Sequence, residues 1–94
     1  MMTDQELKEI EERCNRATKA PWVSFVEGRN NESGDSFIMT GIQEGEDIWS
    51  ESRGEDIYLR GATNDDQDFI AHARQDIPML LKFIRQLKLH IENK

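Results

Sequence analysis

Asp68, His72 and Asp76 recur at intervals of four near the start of the last third of the chain. On a helix this spacing places all three on one face. Two carboxylates flanking an imidazole can take a divalent cation. No second donor cluster accompanies them, however, so a solvated face with a mild charge pair is the plainer reading, and no metal or cofactor is expected. Trp22 and Arg74 form a second candidate pair, in which an indole face stacks a nucleobase and a guanidinium holds a phosphate. The structural alternative makes Trp22 a core residue with its indole N–H bonded to backbone, and Arg74 one half of an ion pair. The candidate ligand-binding residues are therefore Trp22, Arg74, Asp76 and His72. Arg29, Arg53 and Arg60 would add charge if two subunits brought them together.

Catalytic patterns are missing from the sequence. No Ser-His-Asp or Cys-His arrangement stands out, nor does a glycine-rich phosphate loop. With 19 acidic residues among 94, chance carboxylate pairs are expected, so none is assigned as an acid–base couple and the chain reads as a non-enzyme. The single cysteine, Cys14, sits on an apolar helical stripe and reads as a small buried hydrophobe.

The element that must carry most of these residues is a long helix from Asp68 to Ile91. Ile70, Ala73, Ile77, Leu80, Ile84, Leu87 and Ile91 alternate spacings of three and four, an a/d seam over three heptads, with Phe69 and Leu81 widening it. The rest of the chain is expected to pack on this seam. Pro78 removes one backbone donor and crowds the Arg74 carbonyl, so a kink, or a break and restart, is expected near Asp76. A first helix runs from about Asp4 to Ala17, opened by a Thr3/Glu6 capping box, with Leu7, Ile10, Cys14 and Ala17 as its apolar stripe. It is too short to be stable alone, and the C-terminal seam is its expected partner. Between the helices lie four short extended stretches, Trp22–Val26, Ser36–Ile42, Asp47–Ser50 and Ile57–Arg60, separated by polar turns too short for a crossover helix. Thr63 or Asn64 caps the last helix. The fold class is α+β, one domain over 1–94: an N-terminal helix, an antiparallel meander of three or four strands, and a long C-terminal amphipathic helix kinked near Pro78.

The formal charge of −7 argues against DNA, RNA and anionic membranes as partners, because phosphate binding is driven by clustered Lys and Arg. The first residues are acidic and lack an apolar run, so they do not read as a signal peptide, and no stretch reaches membrane-spanning length. The default location is the cytoplasm. The small core and clean seam point to a homo-oligomer.

Two stretches resemble a known family. Ala17-Thr18-Lys19-Ala20-Pro21-Trp22 is similar to the Ala-Thr-Pro-Gly-Pro-Trp segment of many small phage and prophage proteins, departing at Lys19 and Ala20, where the family usually has Pro-Gly. Residues Phe69 to Leu81 resemble that family's second segment, Phe-Ile-Ala-x-Ala-Arg-x-Asp-x-Pro-x-Leu-Leu, across thirteen positions. These are the ead-like early-region proteins of temperate phages. The matches cover about a fifth of the chain, and the sheet region between them resembles nothing specific. The resemblance implies an accessory phage protein acting in the host cytoplasm. Such proteins counter host defence by sequestering a nucleotide messenger, as a sponge, or by binding a host defence protein. The first is the leading expectation. An acidic module that blocks a basic host protein, and a structural oligomer without ligand, stand beside it.

Overall fold

The computed structural model describes residues 2–29, 32, 34–41 and 53–92. Four elements follow one another along the chain: α1 (Asp4–Arg16), β1 (Trp22–Phe25), β2 (Phe37–Thr40) and α2 (Asn64–Glu92). The protein is thus α+β, with a helix, a two-stranded antiparallel sheet and a long closing helix.

Both helices open with the same device. Thr3 accepts from the Glu6 amide at 3.1 Å while Glu6 accepts from the Thr3 amide at 2.8 Å. At the start of α2, Thr63 accepts from the Asp66 amide at 3.0 Å and Asp66 returns the bond at 3.1 Å. Each pair satisfies two amides that the first turn cannot pair internally. Thr63, rather than Asn64, is the cap. α2 then continues through Pro78 without a break.

β1 and β2 pair in the register Trp22↔Thr40 to Phe25↔Phe37. On the far edge of β2, Ile38 exchanges both backbone bonds with Ile57 at 2.8 Å. The stretch expected as a fourth strand is thereby reduced to one isolated bridge, and the Asp47–Ser50 expectation lies outside the described residues. Gly54 explains how tightly this segment returns. A Cβ there would lie 2.3 Å from the Thr18 methyl and 2.4 Å from the Thr40 hydroxyl, so only glycine fits between them.

The packing of α2 departs from expectation in one important respect. Its buried residues are Gln67, Ala71 and Leu81, not the a/d seam. Gln67 and Ala71, with Gln75, face β1. Leu81, Arg85 and Lys88 lie on the side that receives α1, where Arg85 pairs with Glu11 and Lys88 with Asp4. Leu81 therefore does not widen the seam, and α1 docks beside it rather than on it. The seam is left open, with Leu80 58% and Ile91 68% exposed. Periodicity identifies that a helix has an apolar face; it does not say which molecule covers that face.

Candidate functional site

The bottom of the molecule's polar architecture is a row on α2: Gln67, Ala71 and Gln75, spaced by four. Ala71 is fully buried, and its small side chain lets the helix approach β1 closely. The Gln75 amide then behaves like a short neighbouring strand, accepting from the Trp22 amide at 2.8 Å and donating to the Trp22 carbonyl at 3.0 Å. Gln67, only 4% exposed, directs its NH2 at the Ser24 hydroxyl and at the carbonyls of Phe25 and Phe37, at 2.9–3.1 Å. Two hydrogens serve three acceptors, which holds the loop end of the hairpin against the helix.

Trp22 and Arg74 do come together, on one atom. The Trp22 indole N–H donates to the Thr18 carbonyl at 3.0 Å, and Arg74 Nε donates to the same carbonyl at 2.9 Å. The shared acceptor lies in the loop just before the cis Ala20–Pro21 peptide. The pair thus fastens the loop between α1 and β1, and Arg74 is spent on a carbonyl rather than on a carboxylate.

His72 and Asp76 lie elsewhere. His72 and Arg74 are two positions apart, about 200° around the helix, which turns them to opposite sides. His72 and Asp76, with Asp68, Phe69 and Ile77, line a shallow hollow of about 400 Å³ on the free face of α2. The four candidate residues therefore form two places and not one. Asp68 is itself engaged: Arg29 grips both its oxygens at 2.9 and 2.8 Å. That fork, followed by a hydrogen bond from Ser24, holds the Asp68 carboxyl far below the usual carboxylate range, and Asp68 in turn raises Arg29. Among the described residues no group of three or more His, Cys, Asp or Glu is arranged to hold a metal ion. Cys14 is half-buried in the groove between the helices, beside Pro78 and Leu81.

The remaining arginines separate clearly. Arg53 pairs with Asp56 at 2.6 Å. Arg60 is exposed at the rim of a cleft of about 530 Å³ between the turn 58–62 and the start of α2. Tyr58 and Phe69, 60% and 75% exposed, flank the same cleft. Tyr58 also closes an aromatic row, its ring 5.7 Å from Phe37, which stacks on Phe25 at 5.5 Å. Neither Tyr58 nor Phe69 was singled out as a ligand residue from sequence. The signal present was the i, i+2 spacing of Tyr58 and Arg60, which sets two side chains on one side of an extended segment. What brings Phe69 opposite them is tertiary.

No protein-family model, curated protein or solved structure matches this chain. No helix among the described residues is long and apolar enough to cross a membrane.

Proposed function

We propose that this chain is a non-enzymatic accessory protein of the phage type, acting in the host cytoplasm, that assembles with copies of itself and sequesters a nucleotide messenger. The observation that carries the ligand half is the cleft of Tyr58, Arg60 and Phe69. Two exposed rings and a guanidinium that has no partner among the described residues border a space within the ~300–1,000 Å³ range of ligand sites. Rings of this kind stack a base, and Arg forks onto a phosphate. Asp66 also lines the cleft, but its carboxylate is turned to the Thr63 amide. On this reading the ligand sits apart from Trp22 and Arg74, whose polar atoms brace the Thr18 loop. What supports the self-assembly half is the open seam of α2. The same reading takes α2 to bend near Pro78 and the sheet to gain strands beyond the two described.

The test is thermal melting against a panel of cyclic di- and trinucleotides and cyclic ADP-ribose isomers, followed by recovery of the ligand after heating. A ligand at a hundred times its dissociation constant adds about 2.7 kcal/mol, several degrees for a domain of this size. A shift that Arg60→Ala cancels, with the ligand recovered intact, supports a sponge. Recovery of an altered ligand replaces it with an enzyme. No shift with any nucleotide removes the messenger.

The charge of −7 favours a second reading, a module whose acidic surface blocks a basic host protein. Binding of that kind weakens steeply with added salt, whereas a desolvated cleft is far less sensitive.

A further inference from the structure

The free face of α2 has a composition and a spacing suited to pairing with a second helix. Ile70, Ile77, Ile84 and Ile91 form one row of the seam, and Ala73, Leu80 and Leu87 form the other. Alternation of three and four is the spacing at which two helices interlock side chains. The flank bearing Phe69, Asp76, Phe83 and His90 is also exposed, with Phe83 57% accessible. The opposite flank is already used within the chain: Arg74 on the Thr18 carbonyl, Leu81 buried, Lys88 on Asp4. Taken with Phe69 and Phe83 on its flank, the exposed apolar side chains of the seam approach the ~800 Å² per partner that a standard interface buries, more than the patches that monomers ordinarily expose.

We propose that two copies of the chain pair through this face with their α2 helices antiparallel, Phe83 meeting Phe83 at the two-fold axis and Asp76 lying beside His90 of the second copy. This inference rests on the self-assembly half of the proposed function and gives it an orientation and a register. A parallel pair would set each free flank against the used flank of the other copy, where Arg74, Leu81 and Lys88 already have partners. An antiparallel pair gathers the two free flanks on one side, where Phe83 can meet Phe83, and the two used flanks on the other, and it also aligns the two helix dipoles favourably.

The register follows from the side chains. Ile77 packs on Leu87, Ile84 on Leu80, and Ile91 on Ala73, where a small residue accepts a large one. In this register the acid of Asp76 meets the imidazole of His90, which can donate to it. A slide of one heptad in one direction sets Asp76 against Phe83, which offers its carboxylate no donor. A slide in the other direction leaves Ile77 and Ala73 without partners.

The test uses the full chain with Cys14→Ser, so that the only thiols are those introduced. Ala73→Cys and Ile91→Cys chains, altered at a half-buried and an exposed position of the seam, are mixed, oxidised and resolved without reductant. In the proposed pair these positions are adjacent across the interface, close enough for the ~3.5–4.5 Å Cβ separation of a disulfide. Mixed chains should therefore crosslink several-fold more than either variant alone. Crosslinking of Ile91→Cys with itself would mean parallel helices and would overturn the proposal. A dimer by sedimentation that yields no mixed crosslink would overturn it equally, while leaving self-assembly standing. A monomer by sedimentation of the unaltered chain would remove both. Cleft binding is measured separately by the nucleotide panel, so its failure is distinct from either.

Discussion

At the scale of single residues, two amides matter more than any charge. Gln67 is buried with its NH2 shared among three acceptors. Replacing it by leucine preserves bulk but leaves those acceptors facing an apolar group, at a cost of about 1–3 kcal/mol for a buried polar group left unmade. Gln67→Leu should therefore lower the urea midpoint clearly, whereas the same change at exposed Gln86 should leave it unmoved. The ion pair nearby behaves differently. Arg29 and Asp68 are accessible to solvent, so their bond adds little to net stability but does add pH dependence. The folded Asp68 carboxyl titrates below its ordinary value of about 4, so its contribution is complete above that value and disappears as the pH falls through the acid range beneath it. Asp68→Asn should be less stable than the parent at neutral pH, and the difference should close on acidification; a difference that is constant from neutral to strongly acidic pH would show that the pair contributes no such linkage.

At the scale of elements, adjacent residues on α2 belong to different surfaces. Leu81 is buried against α1 and Leu80, one position earlier, is exposed. Leu81→Ala should cost about 2–5 kcal/mol by the usual transfer and cavity loss. Leu80→Ala, measured at a dilution where chains are separate, should cost far less. Chemical denaturation of the two variants at equal low concentration checks the contrast. The caps make a gentler pair. Thr3→Ala and Thr63→Ala should each cost about 1 kcal/mol, and being far apart they should add in the double variant. These features differ in how far they could be read from the sequence. The caps, the stripe of Leu7, Ile10 and Cys14, and the identity of β1 and β2 rest on local spacing and local chemistry, so the sequence displays them. The row Gln67, Ala71, Gln75 was not legible. Two glutamines and an alanine carry no hydrophobic signal, and their role depends on which strand edge the helix meets. The seam was legible as a pattern, but the expectation that the rest of the chain packs on it is not met: Leu80, Leu87 and Ile91 stay exposed. The same limit applies to the candidate site. Trp22 and Arg74 were visible as a pair, yet only the fold shows both donating to the carbonyl of Thr18, and only the fold sets Phe69 across from Tyr58 and Arg60.

At the scale of the whole molecule, the distribution of apolar residues is uneven. Among the described residues six apolar side chains are buried, while thirteen large ones are exposed, ten of them on α2. The radius of gyration is 16.3 Å, against the ~12 Å of a compact domain of this length, because α2 extends beyond the body that the other elements form. An elongated chain with so small a core has little to stabilise it alone. Association would supply what the core lacks, and mass action turns that into a measurable quantity. If the folded form is a dimer and the unfolded form is not, the melting temperature rises with chain concentration. We expect several degrees of increase between low and high micromolar protein. Phe83→Arg, which sets two like charges at the proposed axis, should abolish that dependence while leaving the melt at the lowest concentration nearly unchanged, since Phe83 is exposed in the single chain. A melting temperature independent of concentration in the parent would mean that folding is not coupled to pairing with a second copy, and would remove the dimer. A concentration dependence that survives Phe83→Arg would move the association to another surface.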